Sequence, residues 1–262
     1  MNSLEKYEEI VHEYGSWEKY MESLTLAFNE RFIEKSKLKI WHISDTHLFH
    51  DQLNIPEGIN LVIHTGDCSN NMSPYENEHE VRAFLDWYEK VDIPNKIYIP
   101  GNHDTSIEKG LVKAGDFISR GIHLLIHDWI NVNGIKIFGS PYTPTYGQWS
   151  FMKSRETINR VWETLPEGMD IIGVHGPCRG ILDLSYNRAN ELEFCGDNAL
   201  RKHILRLKPK YFLSGHIHNC EDIINTGFRH MPEYGITFSN AAGVTDRKFN
   251  LGITYHGNIF EI

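Results

Sequence analysis

Apolar residues follow two different periodicities along this chain. Over residues 4–33 they recur at the three- and four-residue spacing that predicts amphipathic helices. From Leu38 onward, short apolar runs typical of buried strands alternate with longer helical stretches. We therefore predict a helical N-terminal extension over residues 1–37 and one domain over residues 38–262. For the extension, packing within the chain and dimerisation into a homo-oligomer both stay open.

The domain's pattern resolves into strands, helices and one conspicuous loop. Strands are predicted at residues 38–43, 59–64, 96–100, 124–126, 135–138, 170–174 and 211–213, with two or three more after residue 235. Helices are predicted at residues 78–91, 154–165 and 197–207. The runs at 124–126 and 135–138 are predicted to pair through a turn at Asn133-Gly134, and the aromatic stretch 139–149, punctuated by Pro and Gly, predicts a loop. The strand–helix–strand order predicts an α/β fold.

Polar side chains able to bind a metal follow five of these predicted strands. In open α/β sheets the carboxyl ends of the strands are where ligands bind, so we expect these side chains to converge. They are Asp45 with His47, Asp67, Asn102, His175, and His216 with His218.

This donor set indicates two metal ions. Carboxylate, amide oxygen and imidazole without thiolate suit manganese, iron or zinc. Seven ligands are too many for one tetrahedral zinc site, but they suit two ions about 3.5–4 Å apart that share one carboxylate. Such a pair can bind both non-bridging phosphate oxygens and activate a bridging water as hydroxide for in-line attack. His103 remains as a proton donor to the leaving alkoxide, and Asp104 can hold its imidazole in one tautomer.

Composition narrows the class of protein and of partner. The 262 residues, 40% of them apolar, are enough for one large domain with a core. The net charge of −9 disfavours stable binding to nucleic acid or to an anionic membrane. No apolar run approaches a membrane span, and the first residues lack a signal-peptide pattern. The four cysteines form no C-x-x-C pair, which favours a reducing compartment and hence a cytoplasmic location.

Five motifs at the strand ends resemble the five sequence blocks of the calcineurin-like metallophosphoesterases. They are Asp45-Thr46-His47, Gly66-Asp67, Gly101-Asn102-His103-Asp104, His175-Gly176 and Gly215-His216-Ile217-His218. The resemblance runs from about Trp41 to Ile262 and leaves the first 37 or so residues uncovered. A finer resemblance is to the branch of small metallophosphoesterase-domain proteins that act on cyclic nucleotides. It rests on Gly139-Ser140-Pro141-Tyr142, the nearby Trp149 and His175-Gly176-Pro177.

The resemblance implies a fold and an assignment of each candidate residue. The implied fold is an α/β four-layer α-β-β-α sandwich, here with the helical N-terminal extension. Some members of the branch carry glycine at the position of His216; this chain keeps histidine, which implies a complete dinuclear centre. By motif position, the first metal takes Asp45, His47, Asp67 and His218, the second takes Asp67, Asn102, His175 and His216, His103 is the general acid, and Asp104 is its orienter.

The function expected from these residues is that of a hydrolase. We expect a metal-dependent phosphodiesterase that hydrolyses a small, cyclic nucleotide by attack of a metal-bridging hydroxide, with His103 as general acid. A phosphomonoesterase acting on a protein or a small molecule stays open, because the metal motifs do not separate the two reactions. A nuclease is disfavoured by the acidic charge. A metal-stabilised binding module is disfavoured by the pair His103-Asp104, since binding needs no proton donor.

The aromatic loop allows two interpretations. Tyr142, Tyr146, Trp149 and Phe151 can stack a nucleobase, or they can pack the loop onto the core. Arg179, four residues after His175, can pair with phosphate or stay solvated.

Overall fold

A computed structural model describes residues 37–187, 189–220, 222–245 and 252–262. The predicted helical extension lies outside these ranges except for its last residue. The domain division at residues 37 and 38 therefore stays a prediction.

The described residues form strands and helices in alternation. The strands are β1 (Lys39–Ile43), β2 (Leu61–His64), β3 (Asn95–Tyr98), β4 (Ile122–Leu124), β5 (Asp128–Val132), β6 (Ile135–Ser140), β7 (Thr143–Pro144), β8 (Met152–Lys153), β9 (Ile171–Val174), β10 (Leu184–Tyr186), β11 (Leu192–Phe194), β12 (Tyr211–Ser214), β13 (Gly227–Met231), β14 (Ile236–Asn240) and β15 (Asn258–Glu261). The helices are α1 (Pro74–Lys90), α2 (Thr105–Glu108), α3 (Ala114–Ile118), α4 (Arg155–Glu163) and α5 (Asn198–Leu207), with a 3₁₀ turn at His50–Gln52.

Two larger sheets carry the fold. The first has the order β15-β1-β2-β3-β4, and the second has the order β13-β14-β12-β9-β6-β5. In the first sheet β1 to β4 run parallel and β15 runs antiparallel at the edge. In the second, β14, β12, β9 and β6 run parallel between the antiparallel edges β13 and β5. Each sheet thus points the carboxyl ends of its central strands in one direction.

Alternation along the strands builds the layers. In β1, Ile40 joins the apolar cluster between the sheets, together with Ile137 and Leu213 of the second sheet. The next residue, Trp41, points to the opposite face and joins the cluster that includes Phe84 of α1. Because both faces are covered, the central strands are almost entirely apolar.

The second sheet is covered on its outer face by α4 and α5. Trp162 of α4 and Ile204 of α5 pack in one buried cluster with Phe138, Ile172 and Phe212 of the sheet. The layers are therefore α-β-β-α, and the predicted sandwich is confirmed.

Capping explains where α4 and α5 begin, and both starts agree with the prediction. Ser154 Oγ accepts a hydrogen bond from the Thr157 backbone N–H before α4, and the Asp197 carboxylate accepts one from the Ala199 N–H before α5. Lys208 ends α5 in the left-handed conformation.

One strand pairing predicted from the sequence is wrong. The turn at Asn133-Gly134 joins β5 to β6, while β4 pairs in parallel with β3 in the other sheet. The strand predicted at 124–126 lies two residues earlier, at Ile122–Leu124, and periodicity does not specify the partner of a strand. The sequence also did not predict α2, α3, β13 or the hairpin β10–β11, because elements of three to five residues are too short to show a period.

Across the described ranges, no helix has the length and apolar content needed to cross a membrane.

Candidate metal centre

The carboxyl ends of both sheets bring the seven predicted ligands together. Asp45 and His47 follow β1, Asp67 follows β2, and Asn102 follows β3 in the first sheet, while His175 follows β9, and His216 and His218 follow β12, in the second. Contacts cross between the sheets: His218 Nε2 lies 3.2 Å from Asp45 Oδ1, and His175 Nε2 lies 3.3 Å from Asp67 Oδ2.

Four of these residues occupy the left-handed backbone region. The φ angles of Asp45, His47, Asp67 and His216 are +49°, +42°, +59° and +67°. Non-glycine residues rarely adopt this conformation, and it persists where surrounding contacts determine it. One such contact is the hydrogen bond from the Asp45 N–H to the Gly66 carbonyl, 2.8 Å long. These four residues lie just after their strands, at the turns where their side chains reach the centre.

The first group of ligands consists of Asp45, His47 and His218. Their candidate ligand atoms all lie within 4.8 Å of one another. His47 Nδ1 donates to Asn70 Oδ1 at 2.6 Å and faces the Ser69 carbonyl at 3.2 Å. With its proton on Nδ1, His47 presents the Nε2 lone pair to the centre, which is the orientation that histidine ligands need.

The second group consists of Asp67, His175 and His216, also within 4.8 Å, with Asn102 beside them. His175 Nδ1 donates to the Thr65 carbonyl at 2.8 Å, so Nε2 is the nitrogen that would bind a metal once its proton is lost. That nitrogen faces Asn102 Oδ1 at 3.0 Å and the Asp67 carboxylate at 3.3 Å. Three acceptors facing one another repel unless a cation or a proton lies between them.

The charges of the group indicate the same need for a cation. Burial lowers the pKa of His175, but the Asp67 carboxylate more than offsets it and raises that pKa to about 9. Burial raises the pKa of Asp67, yet the charges of His175 and His103 hold it well below its usual range. The Asp67 carboxylate is thus anionic and attracts positive charge from several sides.

The orientation of the Asn102 amide fits a metal, because its oxygen faces the other ligands. Within the described ranges, the buried Nδ2 of Asn102 has no hydrogen-bond partner, while its Oδ1 points to His175. Burial, and then the charge of His175, lower the pKa of His216 to about 3, so its imidazole is neutral and free to bind a metal. The donor set, its orientation and the clustered acceptors fit metal ions held on either side of Asp67.

His103 lies next to the ligands. Its Nε2 is 4.0 Å from Asp67 Oδ2, and the Asp67 Oδ1 accepts a hydrogen bond from the His103 backbone N–H at 2.7 Å. His47, Asp67 and His103 also form a group with ligand-like spacing. The imidazole can therefore reach atoms that react at the centre.

The prediction that Asp104 orients the His103 ring is wrong. His103 Nδ1 faces the Asn70 carbonyl at 3.4 Å, and the Asp104 carboxylate points the other way. There it accepts hydrogen bonds from the N–H groups of Asp67 and Gly101, the Tyr98 hydroxyl and the Ser69 hydroxyl. Asp104 thus joins the loop after β2 to the loop after β3. The prediction failed because adjacency in sequence does not determine which way a side chain turns.

Asn70 is a site residue that the sequence analysis missed. Its side chain accepts from His47 Nδ1, and its backbone carbonyl faces His103 Nδ1. Glu80 of α1 fixes this segment by accepting from the backbone N–H groups of Asn70 and Asn71, each at 2.8 Å. The only signal in the sequence was a polar run after Asp67, which does not single out one residue.

The aromatic loop contributes in two ways. Phe151 is buried in the core, and Tyr142 packs against it. Tyr146 lies on the wall of a cleft of about 490 Å³ that opens at the ligands, and Trp149 packs on His103. Arg179 also lines the cleft and donates to the Phe194 carbonyl. Packing of the loop onto the core is therefore confirmed for Phe151 and Tyr142, while base stacking by Tyr146 stays a prediction.

Gly101 is required by close packing at the centre. A Cβ at this position would collide with Asp67 Oδ1 and would lie 2.6 Å from the Asp67 backbone nitrogen. We expect Gly101→Ala to displace Asp67, to lower metal content and to destabilise the fold by about 1–3 kcal/mol, the usual cost of overpacking. Metal analysis of the purified variant and thermal unfolding measure both effects.

Gly115→Ala is the matched control, because a Cβ there meets no atom within 4 Å. Metal content and unfolding temperature equal to wild type in Gly101→Ala would contradict the packing argument.

The sequence of this domain matches a known family. A model of the calcineurin-like phosphoesterases matches residues 38–220. The chain belongs to this family. The match covers the predicted ligands up to His218.

Relatives and solved structures agree with the family. A UPF0046 protein of Caenorhabditis elegans is 27% identical over 218 residues, covering 78% of this chain and 69% of its own length. Metallophosphoesterase domain-containing protein 1 of Homo sapiens is 27% identical over 230 residues, with 78% of this chain and 65% of its own length covered. The chain thus spans about two thirds of these relatives.

A solved structure described as a phosphopantetheinyl hydrolase from Mycobacterium tuberculosis superposes with a TM-score of 0.51 at 15% identity, covering 79% of this chain and 89% of that one. At this identity the likeness shows the fold alone, the calcineurin-like phosphoesterase fold.

Proposed function

We propose that this calcineurin-like phosphoesterase is a phosphodiesterase that hydrolyses a small cyclic nucleotide. One observation carries the proposal: Asp67 lies between the two groups of ligands, with His103 beside it on the wall of a cleft. Asp45, His47, Asp67 and His218 would hold one metal ion, and Asp67, Asn102, His175 and His216 the other. When bound, manganese, iron or zinc supplies Lewis acidity at phosphate oxygens and a nucleophile derived from water.

The protein's own contribution is proton transfer and orientation. His103 Nε2 faces the centre while Nδ1 is turned to the Asn70 carbonyl. An alkoxide leaving from phosphorus needs a proton, and an imidazole within reach supplies it. When a cyclic diester is hydrolysed, the leaving group is an alkoxide, so its hydrolysis depends fully on the His103 imidazole.

The cleft supports a nucleotide-sized substrate. Its volume of about 490 Å³ lies in the range of small-molecule sites. Beyond the ligands, its lining includes the rings of Tyr146, Tyr186 and Phe194 and the guanidinium of Arg155. Arg155 is exposed, and its charge is not matched by an ion pair within the ranges the structure describes. Rings and a free cation suit a base and a phosphate.

The thiols support the proposed cytoplasmic location. All four cysteines are free, which suits a reducing compartment.

A hydrolysis screen with added manganese tests the function. The substrates are 2′,3′- and 3′,5′-cyclic nucleotides, nucleoside monophosphates, p-nitrophenyl phosphate, bis(p-nitrophenyl) phosphate and a single-stranded oligonucleotide. We expect a cyclic nucleotide to give the highest kcat/KM and chelation to abolish turnover.

The other outcomes separate the alternatives. Preference for monoesters would make the protein a phosphomonoesterase, and cleavage of the oligonucleotide would make it a nuclease. Metal binding without turnover on any substrate would leave a binding module.

A further inference from the structure

The His103 imidazole has weak polar restraints for a group that must deliver a proton. Its Nδ1 lies 3.4 Å from the Asn70 carbonyl, near the limit of a hydrogen bond. Its Nε2 is 4.0 Å from Asp67 Oδ2, beyond that limit. The side chain is 21% exposed. Another contact must hold the plane of the ring.

The indole of Trp149 makes that contact. The ring centroids of Trp149 and His103 lie 4.2 Å apart, with an angle of 36° between their planes. On another side, the His47 ring meets His103 edge-on at 4.8 Å. The His103 ring is therefore confined by one aromatic face and one aromatic edge, distances at which ring pairs attract.

The loop that carries Trp149 is fastened to the segment that carries His103. The Ser150 N–H donates to the Asn102 carbonyl at 3.1 Å, and the hydroxyls of Ser150 and Thr105 are hydrogen-bonded. The Phe151 N–H donates to Glu108 Oε1 at 2.8 Å. These bonds hold Trp149 at a set position relative to His103.

Trp149 does not line the cleft, although its neighbours do. His103 and Tyr146 are among the described residues on the cleft wall, whereas Trp149 is not. Its indole packs on the imidazole, and at this point the cleft is lined by His103. This position separates Trp149 from the residues available to stack a base.

We propose that Trp149 is a positioning residue that holds the plane of the His103 imidazole for proton delivery. The inference rests on the proposed function of His103 as general acid. Loss of the indole lets the ring turn, and a misplacement of about 1 Å can cost a reaction about 10²-fold. The loss of rate is expected for leaving groups that need a proton and not for those that leave without one.

A double-mutant cycle with two leaving groups tests the proposal. Trp149→Leu and Trp149→Phe are made in wild type and in His103→Ala, and each is assayed on diphenyl phosphate and on bis(p-nitrophenyl) phosphate. We expect Trp149→Leu to lower kcat on diphenyl phosphate by about 10–10²-fold with KM unchanged. Its effect on bis(p-nitrophenyl) phosphate should be small, and Trp149→Phe should retain most activity. In His103→Ala, Trp149→Leu should cost nothing further, since residues acting through one group are not additive.

One control variant and two folding measurements accompany the double-mutant cycle. Trp129→Leu removes an exposed tryptophan on β5 that belongs neither to the ligand groups nor to the cleft lining, and it should match wild type. Metal content and thermal unfolding show whether Trp149→Leu folds, and Trp149→Met replaces it if it does not. Equal losses on both substrates, a raised KM, or additive losses in His103→Ala would overturn the positioning role. If His103→Ala itself loses equally on both substrates, it is the acid role of His103 that fails.

Discussion

Asp67→Asn is expected to empty both metal sites and to lower kcat/KM by about 10³-fold or more. The carboxylate lies between the two ligand groups, 3.3 Å from His175 Nε2 and 4.0 Å from His47 Nε2. Its negative charge offsets the free-energy cost of burying two metal cations. Metal ions contribute several kcal/mol to the stabilisation of transition-state charge, and each 1.4 kcal/mol is tenfold in rate.

Single variants at terminal ligands are the comparison for this result. His47→Ala and Asn102→Ala each remove one ligand of one proposed ion, so each should retain more metal than Asp67→Asn. Asp183→Asn is the matched control, because Asp183 is a buried carboxylate that accepts hydrogen bonds from the N–H groups of Gly180 and Gly196 outside the centre. Metal analysis and kcat/KM rank these variants by the metal and the activity that each retains. A reconstituted wild type that never exceeds one ion per chain, or an active Asp67→Asn, would refute the shared-ligand assignment.

His103→Ala is expected to keep its metal and to lose about 10²–10⁴-fold in kcat on substrates with alkoxide leaving groups. The loss should shrink on bis(p-nitrophenyl) phosphate, because nitrophenolate leaves without a proton. Cyclic nucleotides should show the full loss.

Metal analysis separates the acid from a ligand at this position. His103 shares ligand-like spacing with His47 and Asp67, so a third interpretation is that it binds metal. Loss of one metal ion in His103→Ala would show that His103 is a metal ligand. Normal metal with equal losses on both leaving groups would assign it to substrate positioning.

Several features followed from the sequence for clear physical reasons. Strands buried on both faces are continuous apolar runs, and the acid, amide or imidazole groups directly after them must lie at one sheet edge. Residue order alone therefore identifies Asp45, Asp67 and His175 as candidate ligands. The predicted starts at residues 154 and 197 agree with α4 and α5, whose first turns are capped by Ser154 and Asp197.

Contacts between distant segments were not predictable in the same way. The partner of β4, the donors around Asp104 and the two contacts of Asn70 depend on which segments the fold sets side by side. Residues 67–70 and 101–104 are more than thirty positions apart, and no periodicity encodes how their side chains turn.

The sequence by itself determined the seven candidate ligands, because strand burial and donor chemistry follow from residue type and order. The family and the α-β-β-α layers were implied by the resemblance of its motifs. Only the tertiary structure decided that Asp104 holds two loops together and that Trp149 lies against His103. Such roles arise where long-range packing selects one rotamer and one partner among many, and local sequence does not contain that choice.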